Sequence, residues 1–368
     1  MSLQEKSLFV AMELSNKKWK LAMGDGSQER YRTIDARDTA GLVREVGRAK
    51  EKLGLPAEAP VMFCYEAGRD GFWIDRMLKQ QGYKNYVMDP ASIEVPRRAR
   101  TRKTDRLDAE KLLQLLLRYE LWGQRKAFSA VRVPTEAQEA ERRVHRERER
   151  LVKERVGHCA RLKSLYALHG ITVSHPLTVP ADQICDWEGK PLAGALVDEV
   201  KREQERLRLV DEQLKRLEKQ QTAALAQAST PAMQKAHKLC RLKAVGPQSS
   251  WILSQECFAW RTFANRKHLG SFVGLTGTPY DSGDTLREQG ISKAGNRRVR
   301  TTMIELAWSW VRWQPDSALT HWFIDRYVRS GTKRSKRKGI VALARKLLIA
   351  LWKFIEQDIV PEGAIVRA

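Results

Sequence analysis

The sequence predicts a mixed α/β sheet domain followed by all-α regions, and three observations carry that prediction. Short apolar runs of strand character alternate with amphipathic helical stretches over the first third of the chain. Beyond Pro134, two long stretches are charged on most faces and keep only narrow apolar seams. From Ser229 onward the spacing is helical again, rich in tryptophan and broken by one glycine-rich segment. A chain of 368 residues suits two or three domains. The expected regions are an α/β domain over 1–128, a coiled-coil helical region over 129–230 and a helical C-terminal domain over 231–368.

The elements of the first region follow in order. Ser7 to Leu14 reads as a buried strand, Lys18 to Met23 as a second and Arg30 to Ile34 as a third, with Gly24-Asp25-Gly26 as a hairpin turn. Three successive strands predict an antiparallel meander. Thr39 to Leu53 has helical spacing at Leu42, Val43, Val46 and Ala49. Pro60 to Tyr65 is a further apolar strand, Phe72 to Gln81 an amphipathic helix, Asn85 to Met88 a short strand and Asp105 to Tyr119 a helix. This order predicts a mixed sheet with helices packed on it.

That order places acids at informative points. Glu13 lies near the end of the first strand, Glu66 directly after the fourth, and Asp105 and Asp108 are three apart on one face of the last helix. If the first and fourth strands are neighbours, the first two acids come together and the helix can bring the other pair over them. Paired carboxylates repel unless cations or a divalent metal compensate them. Four oxygen-rich side chains suit Mg²⁺ or Mn²⁺, and such a site can hold two metals roughly 4 Å apart about an in-line phosphoryl displacement. The plainer alternatives are an edge-strand charge for Glu13, a helix cap for Glu66, and a complement to the helix dipole for Asp105 and Asp108. Arg97, Arg98, Arg100, Arg102, Lys103 and Arg106 crowd the approach.

The two long stretches run from Glu136 to Leu168 and from Leu196 to Ala228. In the second, Leu196, Val200, Leu207, Val210, Leu214 and Leu217 fall at heptad a and d positions, interrupted by Glu203. The charged outer faces lead us to expect pairing between chains as a dimerisation arm; a helical hairpin closing on its own chain is the alternative. Further on, Leu239 to Cys257 reads as helix, glycine-containing turn and helix, a form that can hold a phosphate or simply turn a corner. Ile291-Ser-Lys-Ala-Gly-Asn-Arg-Arg-Val-Arg300 offers Lys293, Arg297, Arg298 and Arg300 to successive phosphates. Lys333, Arg334, Lys336, Arg337 and Lys338 form what reads as an exposed basic loop, again a phosphate clamp. Trp308, Trp310, Trp313, Trp322 and Trp352 are expected in the core.

A net charge of +23 and a pI near 10.0 point to a polyanionic partner, because each Lys or Arg set against a phosphate releases counterions. An anionic membrane is disfavoured: the start is not a signal peptide, and the apolar stretch Ile340 to Ile355 contains Arg345, Lys346 and Lys353. Five cysteines without a Cys-x-x-Cys pair exclude a disulfide framework or zinc module, and seven dispersed histidines read as ordinary. A soluble protein of the cytoplasm is expected.

Three stretches carry a resemblance: Val10-Ala-Met-Glu-Leu-Ser15, Cys64-Tyr-Glu-Ala-Gly68 and Arg102-Lys-Thr-Asp-Arg-Leu-Asp-Ala-Glu110. With the strand order, they resemble the ribonuclease-H superfamily, and more narrowly the RuvC-like domain of the DEDD transposases, the one-ten family of bacterial insertion sequences. The family's Asp, Glu, Asp, Asp set maps onto Glu13, Glu66, Asp105 and Asp108; Glu13 departs by one methylene, which alters its reach. A coiled-coil insert between two domains is also part of the family's plan. Gly-Leu-Thr-Gly-Thr-Pro-Tyr-Asp-Ser-Gly, at 274–283, is similar to the heart of the family's transposase domain, where the serine before glycine is the nucleophile; Ser282 takes that position.

The resemblance implies an RNA-guided, Mg²⁺-dependent DNA transposase or recombinase. Its partners would be double-stranded donor and target DNA, a structured noncoding bridge or seeker RNA, and further copies of the chain in a dimer or tetramer, all associated with the bacterial nucleoid. In that scheme the acids activate the scissile phosphate and Ser282 attacks it. Two rivals are a metal-dependent junction resolvase using the acids alone and a non-catalytic basic nucleic-acid-binding scaffold. Loss of function on Ser282→Ala separates the first rival, and loss on changing Asp105 and Asp108 separates the second.

Overall fold

The computed structural model describes residues 6–68, 70–93, 105–192, 194–282, 285–329 and 331–367, without the side chains of 279–282 and 285–289. It divides into two compact units, Met1–Pro134 and Thr135–Ala368. The boundary falls at the proline that precedes the first charged helix, and the long helices and the C-terminal part share one unit.

In the N-terminal unit, β1 (Leu8–Leu14), β2 (Lys18–Gly24) and β3 (Glu29–Asp35) form the expected meander. At the β2–β3 turn the Asp25 carboxylate accepts from the backbone N–H groups of Ser27 and Gln28, both at 2.8 Å. β4 (Val61–Glu66) pairs parallel to β1, and β5 (Lys84–Met88) parallel to β4, so the sheet order is β3-β2-β1-β4-β5. Helix α1 (Thr39–Lys52) starts where Asp38 accepts from the Gly41 N–H at 2.7 Å. It and α2 (Trp73–Gln80) cover one face of the sheet, where Leu42, Val46, Ile74 and Leu78 pack on Leu8, Val10, Met12, Phe63 and Tyr65. Helix α3 (Asp105–Glu120) covers the other, packing Ala109, Leu112, Leu113 and Leu116 on Phe9, Ala11, Cys64 and Met88. Alternation along β1 and β4 sends side chains to both apolar layers, which is why these strands read as continuous apolar runs.

The second unit begins with α4 (Glu136–Ala167), closed at its start by a reciprocal capping box between Thr135 and Gln138. After a connection held by Gln204, whose amide nitrogen donates to Pro176 O at 3.1 Å and Val179 O at 2.9 Å, α5 (Gly194–Gln227) returns along it. The dimerisation seam is a correction. Val200 and Leu207 pack on Leu162 and Tyr166, and Val210 and Leu214 pack on Leu151, so the a and d residues are spent within one chain. Glu203 does not interrupt that packing. It is buried in it, bonded across the hairpin to His158 at 2.8 Å and to Arg161, and on its own helix to Arg206 at 2.7 Å. An amphipathic seam finds whichever apolar partner is nearest, and here the nearest is the preceding helix.

The remaining helices form one core. They are α6 (Pro231–Cys240), α7 (Pro247–Leu253) continuing into a π-helical turn at Ser254–Phe258, α8 (Arg266–Val273), α9 (Arg297–Trp313), α10 (Ala318–Phe323) and α11 (Lys333–Gln357). Two strands, β6 (Gly277–Ser282) and β7 (Thr285–Ile291), form a hairpin between α8 and α9. Leu253, Val273, Met303, Trp310, Leu343 and Leu347 are completely buried there. Two expectations need correction. Lys333 to Lys338 are not a loop but the exposed first turns of α11, capped by Thr332, whose hydroxyl accepts from the Ser335 N–H. Trp310 is buried, and Trp322 and Trp352 pack against the core, but Trp308 and Trp313 are exposed because they fall on the outer face of α9. No helix among the described residues is long and apolar enough to cross a membrane.

Candidate active site

Strand register brings the first two acids together. Phe9, Ala11 and Glu13 alternate onto the α3 face of β1, as Met62, Cys64 and Glu66 do on β4. Met12 pairs with Tyr65, so Glu13 and Glu66 occupy the next rung on the same face of adjacent parallel strands, which lie about 4.8 Å apart. Helix α3 runs opposite to these strands: Glu120 at its far end meets Lys84 at the start of β5, 3.0 Å apart. Its first turn therefore arrives where β1 and β4 end. Asp105 and Asp108 are both in that turn, Asp105 exposed and Asp108 half-buried.

Lys20 ties the pieces together. It stands directly across from Glu13 in the β1–β2 register, and its ammonium lies 3.6 Å from the Asp105 carboxylate. The all-oxygen donor set and the placement of the four acids at one end of one sheet face fit a hard divalent cation. As placed, the side chains are not drawn in: among the described residues no three of Asp, Glu, His or Cys gather closely enough to hold an ion. Arg97, Arg98, Arg100, Arg102 and Lys103 lie outside the described residues.

Beside Lys20, β2, β3 and the first turn of α3 enclose a cleft of about 210 Å³, lined by Lys20, Tyr31, Thr33, Arg106 and Ala109 among others. The Arg106 guanidinium lies over the Tyr31 ring at 4.6 Å. Burial and the Glu29 carboxylate, which accepts from the Tyr31 hydroxyl at 2.5 Å, push the phenol's pKa up.

In the second unit, Ser282 ends β6 and pairs with Thr285 at the start of β7. The base of that hairpin is tightly fixed. Ser292 N–H donates to Thr276 O at 2.9 Å, Lys293 N–H to Gly274 O at 3.2 Å, and Asn296 N–H to Phe272 O at 2.8 Å. Gly274 has φ 71°, and a Cβ on it would lie 1.9 Å from the Ala294 carbonyl oxygen, so only glycine fits there. Of the four cations after the hairpin, Lys293 and Arg297 are exposed, Arg298 pairs with Glu149 at 2.6 Å, and Arg300 donates to Val273 O at 3.0 Å.

Sequence reasoning missed the anchor of this region. Glu256, 2 % exposed in the π-helical turn, accepts from His145 at 2.8 Å, from Arg146 at 2.9 and 3.2 Å, and from the Asn296 amide at 3.2 Å. Asn296 in turn caps α9 through the Val299 N–H. Burial alone would raise the Glu256 carboxyl; the hydrogen bonds from His145 and Arg146 and their charge hold it well below the usual carboxylate range. The available signal was a lone Glu inside the apolar run Trp251-Ile-Leu-Ser-Gln-Glu-Cys-Phe258, since a charge there must be paired. His145, far away in sequence, gave none.

Comparison with known proteins bears on this geometry. Residues 236–321, from α6 into α10, match the model of the "Transposase IS116/IS110/IS902 family". The chain is 38% identical over 382 residues to "Putative transposase y4rJ" of Sinorhizobium fredii, covering 98% of this chain and 95% of that protein. It is 22% identical over 331 residues to "Probable family 20 transposase" of Pseudomonas aeruginosa, covering 88% and 93%. A "Transposase for insertion sequence element IS1328" of Yersinia enterocolitica is 22% identical over 248 residues, covering 67% of this chain and 70% of that one.

Proposed function

Because this chain belongs to the IS116/IS110/IS902 family of insertion-sequence transposases, we propose that it cuts and rejoins DNA strands through Ser282, assisted by Glu13, Glu66, Asp105 and Asp108. In this reading the N-terminal unit is a RuvC-like, ribonuclease-H-type domain. The observation that carries it is the placement of four carboxylates at one end of one sheet face, reached by strand register and the antiparallel run of α3.

Glu13, Glu66, Asp105 and Asp108 would hold Mg²⁺ or Mn²⁺. When bound, the ion supplies charge stabilisation to a phosphate undergoing displacement. Lys20 neutralises Asp105 and stands opposite Glu13, which limits the mutual repulsion of the acids. The Ser282 hydroxyl oxygen forms a bond to phosphorus, the bond from phosphorus to one DNA oxygen breaks, and the serine proton passes through solvent to that leaving oxygen. A phosphoserine link keeps the phosphodiester bond energy for rejoining, because the reverse attack by a DNA hydroxyl restores serine. Fixing the hairpin base through Gly274, Asn296 and Glu256 supports this role, since a nucleophile must be held in place to within a fraction of an ångström.

The proposed partners are donor and target DNA, a structured noncoding guide RNA and further copies of the chain, in a bacterial cytoplasm. The charge of +23 supports the polyanions. Assembly needs a surface other than the α5 seam. The test of the acids is Asp105→Asn in the full chain with Mg²⁺: strand cleavage should be lost while nucleic-acid binding persists. A variant that is folded and still cleaves sinks the assignment of the acids and leaves the strand chemistry to Ser282 without them.

A further inference from the structure

The cleft beside Lys20 adjoins the four acids, and of its lining the mechanism above uses Lys20 alone. Its floor is Lys20 and Leu21 of β2 with Tyr31 and Thr33 of β3, and its roof is Arg106 and Ala109 of α3. Register places Lys20 opposite Thr33 and Ala22 opposite Tyr31, so Lys20, Tyr31 and Thr33 all lie on the α3 face. Arg32 points elsewhere: its guanidinium lies 3.6 Å from Glu45 of α1 on the opposite face. At about 210 Å³ the cleft is smaller than the roughly 300 Å³ at which drug-sized pockets begin, so it admits part of one nucleotide and no duplex.

Its chemistry suits an unstacked nucleotide. The Arg106 guanidinium lies 4.6 Å over the centre of the Tyr31 ring, and its exposed side chain is a planar cation on which a base can stack. Lys20 provides an ammonium at the end of the cleft nearest the acids, and Thr33 a hydroxyl beside it. Lys20 touches both the cleft and Asp105, so a strand with a base on Arg106 passes its next phosphate toward the carboxylates.

We propose that this cleft is a single-nucleotide subsite, which seats one unpaired base of the DNA strand beside the phosphate presented to the acids. Arg106, backed by Tyr31, stacks on the base, and Lys20 meets its phosphate. This rests on the reading of the acids as facing DNA.

The test uses the full chain with single-stranded DNA oligonucleotides carrying 5-iododeoxyuridine for photocrosslinking or 2-aminopurine for stacking fluorescence. Crosslinks should map to peptides containing Tyr31, Thr33 or Arg106, and 2-aminopurine should be quenched on binding. Arg106→Gln should weaken binding roughly 5- to 150-fold and abolish the quench. Arg106→Lys, which keeps the charge and loses the plane, should restore the salt dependence but not the quench. Lys20→Gln should lower the slope of log K against log salt by about 0.7, the loss of one phosphate contact on a single strand. Circular dichroism melts confirm that each variant is folded; Arg106 is exposed, so its variants keep the fold even if Lys20→Gln does not. Crosslinks that map away from these strands, or Arg106→Gln binding and quenching like wild type, overturn the subsite. So does selective crosslinking of RNA in place of DNA. If crosslinks reach Tyr31 but no serine adduct forms on any substrate, the subsite stands and the serine chemistry fails. An adduct with no crosslink here removes the subsite alone.

Discussion

Glu256 shows how one buried charge ties distant segments of the chain together. It joins α4, through His145 and Arg146, to the cap of α9, through Asn296. Removing it leaves His145 and Arg146 without their partner, so Glu256→Ala should cost about 3–5 kcal/mol in chemical denaturation. The pH dependence follows from the sign of its shift. The carboxyl is held below its unfolded value of about 4.3, so its contribution is complete above that pH and is lost as pH falls toward the folded value. Stability measured from pH 5 down to pH 3 should fall more steeply in wild type than in Glu256→Gln; identical profiles would show that the network carries no linked proton. Gly274 is the other residue-scale constraint. Gly274→Ala puts a Cβ into the Ala294 carbonyl at positive φ, so it should destabilise by more than about 1 kcal/mol and displace the hairpin base that carries Ser282. A variant with unchanged melting and unchanged strand transfer would contradict that account.

At the scale of elements, the α4–α5 hairpin separates stability from assembly. Leu207 is completely buried against α4, so Leu207→Ala should cost about 2–5 kcal/mol, and the loss should not depend on protein concentration. A midpoint that rises with concentration in wild type and not in the variant would return the seam to an interface between chains. The same element shows what was legible in the sequence. Heptad spacing located both helices within a few residues, but the period does not say which chain supplies the partner. The strands fared better: the meander, the later strands and the positions of Glu13 and Glu66 at the ends of β1 and β4 could all be read, because short apolar runs bounded by turn residues mark strands buried on both faces. Lys20 and Tyr31 escaped notice because their roles depend on cross-strand register. Glu256 escaped because its partners are 110 residues away in α4 and 40 residues away at Asn296. Lys333 to Lys338 were misread as a loop because charge composition overrode the capping signal of Thr332 ahead of a helical run.

For the whole molecule, a charge of +23 makes affinity for nucleic acid depend steeply on salt. Binding of a DNA duplex should weaken linearly in log K against log salt, with single exposed cations such as Lys293 or Arg297 each contributing about 0.9 to the slope. Arg300, bonded to Val273 O, should contribute through folding instead, so Arg300→Gln lowers the melting temperature more than Arg297→Gln does. Equal melting with equal slopes for the two would show that Arg300 is a phosphate contact like the others.

The central claim is chemical and has a direct measurement. Attack by Ser282 leaves DNA attached to protein through phosphoserine, whereas attack by water leaves two free ends. The chain should be incubated with guide RNA, Mg²⁺ and a nicked or mismatched target that prevents rejoining, then denatured and digested. The account predicts a protein–DNA adduct that maps to Ser282, is absent in Ser282→Ala, and disappears while DNA and RNA binding are retained. Strand exchange by the folded Ser282→Ala protein, or cleavage to free ends with no adduct at Ser282, would contradict it.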